Sequence, residues 1–577
     1  MTRNRWIFLC SALLLAVIAA WLWWVRPKAV DMAAYAPSDS LLFLETNHPI
    51  EVVEALAGTE AWRAFETIIG PRASALGSHS LQGFMRWTGI GPIKSVILAR
   101  AQVAVVVTDL RAAEEGDNLN INAEGALLIE THTSESRIKP SVEEALKTLA
   151  EKTYGRPTAR RVIGDGVEYI EWIAPDGSRQ IVGAVVGSLV VIGTSEHAVQ
   201  DCLAVAQGRR PSLKDDQELH AMRLRLEREH ALTFGYVPPG NSARLLAVGL
   251  PALLGRAPGD SEFQRLITNG AAKVFGSLGW TSNTYLGGIE DRYLITLQPS
   301  VVARLKPTFG SNNIKSHIQR VVPADAYSVT SYRFANPGAA WLSLKTAVSS
   351  QVDALSAIVF SSLLKSALLS YGIEDPESFL GAVDGELLTL RLDENSERSL
   401  LIAGVRERAP LRKIVTKNMS PSTRNSGATQ TEILEDPQGE FAAGLSDEFI
   451  VIGSPPDVRR YYETRTAVST AMTTANFSRL TSFVSSPDSS NVVTYTNDAD
   501  RVRSFFLAAI AAGGKPAVAS ESFEAAIATL PYSVTETTIG ERGIERTTRS
   551  PLGQFSSLLP LLFPQLPGAV KDANQPR

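Results

Sequence analysis

Leu189-Val190-Val191-Ile192-Gly193-Thr194-Ser195 and Phe449-Ile450-Val451-Ile452-Gly453-Ser454-Pro455 are the two stretches whose reading decides the fold of this chain. Each reads as a buried strand stopped by glycine, followed by a hydroxyl residue that caps a helix. Other landmarks recur in the same order. Pro37-Ser38-Asp39-Ser40 pairs with Pro323-Ala324-Asp325-Ala326, and Gly89-Ile90-Gly91-Pro92 with Gly372-Ile373-Glu374-Asp375-Pro376. A long internal period governs every later assignment, so the chain reads as a duplicated domain.

The local signals give an α+β fold of two homologous halves, each a mostly antiparallel β-sheet with packed helices, after one N-terminal transmembrane helix. Leu41–Glu45 and Tyr327–Tyr332 open the halves as strands. Asn47-His48-Pro49 and Asn336-Pro337-Gly338 then start helical stretches, Glu51 to Ile69 with a break at Gly58-Thr59, and Ala339 to Ser370. Val96–Ala99 with Gln102–Val107, and Phe379–Val383 with Glu386–Leu390, read as strand pairs. Ala126–Ile129 and Ser399–Ile402 add a strand each. Ser141 to Lys152 reads as a helix capped by Ser141, with Glu144 completing a capping box.

A meander follows. Asp165-Gly166, Pro175-Asp176-Gly177 and Val186-Gly187-Ser188 make its turns, with Thr194 as the expected cap of a helix to Gly208. In the second half the turns are Asp436-Pro437-Gln438-Gly439 and Ser446-Asp447-Glu448, with Ser454 as cap and Pro455 in the first helical position. Ala231–Phe234 and Asn491–Tyr495 match as strands. Trp280 to Gln298 and Tyr532 to Arg549 match as threonine-rich, alternating sheet.

The bounds are residues 1–28 as anchor, 29–36 as tether, 37–299 as the first repeat, 300–322 as linker, 323–551 as the second repeat and 552–577 as a C-terminal tail. Trp6 to Val25 is an uncharged run of 20 residues. At ~1.5 Å per residue it spans ~30 Å, the thickness of a bilayer core. Tryptophans sit at both ends, and a short basic tail precedes it, which favours N-inside insertion with the bulk of the chain exported. A cleaved signal peptide would have a shorter apolar region ending in small residues. Ala34-Tyr35-Ala36 has the small residues of such a site, but it lies well past the run and Pro37 follows it. The chain has two cysteines, with Cys10 in the apolar run, so Cys202 has no disulfide partner in the exported part. The net charge is −4, and residues 1–28 carry Arg3, Arg5, Arg26 and Lys28, which leaves the body near −8. A mildly acidic body without basic clusters argues against a nucleic-acid partner.

The anchor, the Pro-x-Asp start and the strand–glycine–hydroxyl step resemble an uncharacterised family of bacterial membrane-anchored envelope proteins, a domain of unknown function, here in two tandem copies. The resemblance covers most of residues 36–550 and implies no activity, cofactor or catalytic residue.

Gly89-Ile90-Gly91-Pro92-Ile93-Lys94 lacks the third glycine of a dinucleotide loop, and no lysine follows a glycine there as a phosphate loop needs, so it reads as a plain turn. Ser195 and His197 sit where a nucleophile elbow would, but His197 occupies the place of a needed glycine and Pro455 replaces Ser195 in the second half. His220 and His230, with Glu218, Glu227 and Glu229, could suggest a metal site, yet Arg223, Arg225 and Arg228 are interleaved; a charged helix is the plainer reading. Glu168 and Glu171 fall on opposite faces of a strand. Trp62 with Phe65, and Phe84 with Trp87, have the spacing of a core stripe more than of a binding groove. No catalytic, cofactor-binding or metal-ligating residue is therefore assigned, and no cofactor. The expected role is partner binding or scaffolding in the cell envelope, with a hydrolase or a carrier of a hydrophobic ligand as alternatives.

Overall fold

The computed structural model describes residues 29–69, 100–115, 118–164, 166–245, 268–309, 321–323, 326–352, 354–393, 399–421, 432–467, 490–512 and 521–556. The apolar run Trp6 to Val25, the candidate strand at 96–99, the Gly89 and Phe84–Trp87 motifs and residues 557–577 of the tail lie outside these residues. Among the described residues no helix is long and apolar enough to cross a membrane.

Among the described residues, 20 strands form one antiparallel sheet. The first ten are β1 (Leu42–Thr46), β2 (Gln102–Glu115), β3 (Asn118–Glu130), β4 (Thr158–Gly164), β5 (Val167–Ile173), β6 (Gln180–Val186), β7 (Leu189–Gly193), β8 (Thr233–Val237), β9 (Phe275–Tyr285) and β10 (Gly288–Leu297). The second ten are β11 (Ser328–Arg333), β12 (Val383–Arg391), β13 (Leu400–Val405), β14 (Ser420–Pro421), β15 (Glu432–Glu435), β16 (Ala442–Leu445), β17 (Phe449–Gly453), β18 (Val492–Thr496), β19 (Ser533–Ile539) and β20 (Gly543–Ser550).

The first run is ordered β4-β5-β6-β7-β3-β2-β1-β8-β9-β10 across the sheet. β10 then pairs with β20, and the sheet continues β20-β19-β18-β11-β12-β13-β17-β16-β15-β14. The second run is the first read backwards with every strand number raised by ten. Registers follow suit. Phe43 lies opposite Val106 and Tyr236, as Val329 lies opposite Leu390 and Tyr495. At the middle of the β10–β20 ladder Arg292 faces Thr547.

Both faces of the sheet are covered, as their apolar residues require. On one face the helix Glu196–Ala206 packs Val199, Cys202 and Leu203 on Leu128, Ala184 and Val191. The helix Pro455–Ala467 does the same with Val458, Tyr461 and Tyr462 on Leu390, Ile402 and Val451. A Cβ at Gly193 would collide with Val199, and one at Gly453 with Leu400. This is the close approach that the strand-ending glycines provide. On the other face Leu146 of the helix Glu135–Tyr154 meets Ile170 and Trp172. In the second run Leu411 of the helix Arg408–Val415, with Phe379 and Leu380 of the helix Pro376–Ala382, is buried against Leu387, Leu401 and Ile450.

Helices also cross from one run to the other. Trp62 and Phe65 of the helix Glu60–Ile69 pack on Phe505, Phe506 and Phe523, and Phe65 stacks on Phe506 at 4.2 Å. Val301, Val302 and Leu305 of the helix Pro299–Leu305 pack on Ala347 and Val348.

Several expectations need correction. Residues 29–36 are not a tether: Met32–Tyr35 is a 3-10 helix, with Met32 and Ala33 fully buried and Asp31 accepting from the Ala33 amide. Nor is the region from 300 a plain linker, since its first residues continue the buried helix above. The tail begins by packing, because Leu552 is buried beside Trp62 and the aromatic cluster. Phe379–Val383 is mostly helix: Asp375 caps Pro376–Ala382, and only Val383 begins a strand. A side-chain cap next to a proline in the first turn outweighs the β-like run that follows. The helix expected from Ser141 starts at Glu135, after Ser134, and carries Pro140 inside. Tertiary packing of Ile138 offsets the hydrogen bond that the proline forgoes. The helix after β7 is capped by Ser195, not Thr194. Thr194 instead accepts from the Gly125 amide and ties the chain to β3.

Candidate functional site

In an antiparallel sheet directly opposed residues share a face. The strand registers therefore trace one row across the centre: Glu45, Phe234, Thr281, Arg292, Thr547, Glu536, Val493 and Ser331. This row lies on the face that carries the two strand–glycine–cap helices, and it is polar where a sheet interior is usually apolar.

Its first-run end is a buried ion cluster. Glu45 is 2% exposed and accepts from Arg223 at 2.9 Å and Arg228 at 2.8 Å. Arg223 also forks onto Asp31 through two bonds of 2.9 and 3.0 Å. Burial alone would raise the Asp31 pKa, but the hydrogen bond and charge of Arg223 outweigh it and hold it below the usual value. Arg228 bridges to Asn47, whose amide oxygen also accepts from Gln102. At the second-run end Ser331 donates to Glu386 at 2.7 Å, with the Arg333 guanidinium at 3.8 Å.

Between them, where the runs meet, Arg549 donates to Glu290 and to Glu536, both at 2.7 Å. All three are mostly buried. Burial opposes the Arg549 charge, but bonds and charges from the two glutamates win and raise its pKa. Arg292, 44% exposed in its side chain, donates Nε to the other oxygen of Glu290 at 2.7 Å.

Beside these residues an open cleft of about 550 Å³ straddles the β10–β20 ladder. The first run lends it Arg225, Leu226 and Arg292 to Leu294, and the second lends Glu541, Arg542, Glu545 to Thr547 and Arg549. That volume suits a small ligand. A second hollow, around Glu60, Tyr285 and Tyr532, holds about 20 Å³, room for one water.

On the opposite face Asp291 is 1% exposed. It accepts from Ser282 Oγ at 2.5 Å and from the Gln554 amide at 2.9 Å. Burial pushes its pKa up to about 6, against the pull of those two donors.

The residues singled out from sequence are not brought together. Ser195 accepts from the Ala198 amide and lies 3.2 Å from Glu124 Oε2, while His197 is exposed and sits 3.5 Å from Asp201. His220 lies on the exposed side of Gln217–Arg225, its Nδ1 beside the Asp216 carbonyl. The opposite side of that helix is not solvated as expected, because Leu219, Met222 and Arg223 face the sheet. Among the described residues no His, Cys, Asp or Glu cluster has the makings of a metal site. Glu168 pairs with Lys139 and Arg161, whereas Glu171 pairs with Arg160. Trp62 and Phe65 are core. The Cys202 thiol is buried, and its pKa is pushed up to about 12, so it is inert.

Sequence reading passed over Glu45, Glu290, Arg292, Glu536 and Arg549. A signal was present: Glu290-Asp291-Arg292 sets three charges in a row inside a strand, which places charge on both faces at once. No family model matches the chain, and no curated protein and no solved structure is found similar to it.

Proposed function

We propose that this chain is a membrane-anchored, extracytoplasmic binding protein of the bacterial cell envelope, built from two tandem copies of one α+β unit, which takes its partner at the junction of the copies. The observation that carries the reading is the matched strand order and register about the Arg292–Thr547 pair, with an open charged cleft beside it. Duplication preserves a scaffold, and clefts between units are common binding places.

The anchor reading gains support from the other end of the body. Val30 is fastened to Gln102 by two hydrogen bonds, of 2.7 and 2.8 Å. Only Arg26 to Ala29 then separate the apolar run from the body, a reach of at most ~14 Å. The body is accordingly held against the bilayer surface. Ala34-Tyr35-Ala36 as a cleavage site would remove Met32 and Ala33, which are core residues. The hydrolase alternative has less behind it, because the Ser195 hydroxyl is engaged in capping.

Fractionation of cells making the full-length chain tests the anchor. The chain is expected in the cytoplasmic-membrane fraction, resistant to alkaline wash and open to protease only from outside. Recovery of the full-length chain as a soluble protein would sink this reading.

A further inference from the structure

The turn between β9 and β10 carries a leucine where the backbone disfavours one. Tyr285 pairs with Gly288, so Leu286 and Gly287 make a two-residue turn, and both have positive φ, 40° and 82°. Hairpins of this kind prefer Asn or Gly there, because a bulky side chain on left-handed backbone is strained. The strain brings no packing in return, since Leu286 is 70% exposed. Six large apolar side chains are exposed among the described residues, and of these Leu286 alone has a positive φ. The turn is also braced. The Glu60 amide donates to the Gly287 carbonyl at 2.6 Å, and the helix Glu60–Ile69 is fixed by Trp62 and Phe65 in the aromatic cluster. A strained, rigidly held and solvent-facing leucine points to a contact outside the fold.

Its place relative to the N-terminus identifies that contact. Val30 is bonded to Gln102 at the start of β2, whereas the Leu41 amide donates to the Val107 carbonyl further along the same strand, at 2.8 Å. Residues 30–41 therefore run along β2 away from its Gln102 end, and Ala29 emerges at that edge of the sheet. Glu45 lies opposite Ala104 and Phe234, and Phe234 opposite Thr281, which puts Asn283 level with Gln102. Leu286 stands three residues past that level, ~10 Å beyond the edge, and three strand spacings, ~14 Å, to the side. Residues 26–29 reach at most ~14 Å from the same edge. We propose that Leu286 is a second membrane contact, its side chain dipping into the bilayer that the apolar run Trp6 to Val25 crosses. The proposal rests on the anchor reading. It commits to the apolar part of the bilayer and not to an anionic headgroup, because the Glu60 side chain lies against Gly287 beside the turn. The cleft extends toward Glu541 and Arg542 at the other end of the β10–β20 ladder, so this contact holds it facing away from the lipid.

The test uses the full-length chain in nanodiscs of neutral phosphatidylcholine, made with and without nitroxide-labelled lipid. An environment-sensitive fluorophore is attached at Leu286→Cys in one sample and in another at Leu224→Cys, an exposed leucine of the helix Gln217–Arg225. Both samples carry Cys10→Ser, and Cys202 is buried. The nitroxide is expected to remove about half or more of the emission at position 286 and little at position 224. Equal quenching at the two positions, or none at 286, in a chain that co-elutes with the nanodiscs overturns the contact and leaves the anchor standing. A chain that does not co-elute with them removes the anchor and the contact together. A second measurement keeps the leucine itself: the fluorophore is placed at Thr284→Cys, which is exposed, and read with Leu286 and with Leu286→Asn. Asparagine tolerates left-handed backbone, so this variant is expected to melt no lower than its parent. It is expected to cut the quenching about twofold or more, and unchanged quenching also overturns the contact.

Discussion

Glu45 and Ser331 stand at the same place in the two runs of strands, and they differ in every respect except position. Glu45 gathers Arg223, Arg228 and, through Arg223, Asp31 into a buried cluster. Ser331 makes one bond, to Glu386. The flanking hairpins differ as well. The β2–β3 ladder runs on from Asp109 to Glu115, beyond the end of β1 at Leu42↔Val107, while β12 ends at Arg391 beside Ser328. What the runs share is backbone order, register and the glycines and caps that end strands. What they do not share is charge. A sheet of this order can be maintained by apolar alternation and turns, while polar interior positions are free to diverge so long as each remains paired.

The largest effect is expected at the junction itself. Arg549→Ala leaves Glu290 and Glu536 buried without their common partner, which costs about 3–5 kcal/mol. Denaturant unfolding measures it, and a loss under ~1 kcal/mol would break the view that the runs are locked by this triad. The next comparison sets Glu45→Ala against Ser331→Ala. The first leaves Arg228 with only Asn47 and Arg223 with only Asp31, and is expected to cost about 3 kcal/mol, the second about 1 kcal/mol. Equal costs would erase the asymmetry described above.

Asp291, which lies opposite Thr548 in the ladder, gives a pH test. Its folded pKa of about 6 exceeds the ordinary 3.8, so the folded state holds a proton that the unfolded chain releases. The stabilisation is complete below pH ~4 and is lost as pH rises through about 6. Relative to Asp291→Asn, the wild type should lose about 2–3 kcal/mol across that window. Unfolding free energies at pH 4.5 and 7.5 decide it, and parallel curves for the two proteins would refute the buried-acid description. The smallest effects are expected at the matched caps. Ser195→Ala and Ser454→Ala should each cost about 1 kcal/mol, and by the same amount, since Ser195 accepts from Ala198 and Ser454 from Asp457. A much larger functional loss for Ser195→Ala alone would reopen its reading as a nucleophile.

Much of the architecture was legible because local chemistry determines it. The Asn336 cap, Pro455 in the first helical turn, and the turns at Gly166, Gly177, Gly187 and Gly439, all with positive φ, involve residues near one another in sequence. The misreadings came where distant packing intervened. Phe379–Val383 has the composition of a strand but is helical under the Asp375 cap. Met32 and Val301 look like connector residues and are core, because partners far along the chain cover them. The helix Gln217–Arg225 reads as solvated, yet the charge of Glu45 draws Arg223 inward.

The sequence by itself determined where many of the strands end and turn and where capped helices begin, since turns, caps and strand-ending glycines act over a few residues. It also determined that Trp6 to Val25 is long and apolar enough to span a bilayer. Only the tertiary structure decided that β10 meets β20, that Arg549 serves two glutamates from different runs, and that arginines from both line one cleft. Those contacts join residues some 250 positions apart, and Glu290 and Arg549 are 259 apart. No local propensity encodes such a pairing: it follows from register across the sheet and from the requirement that buried charges find partners.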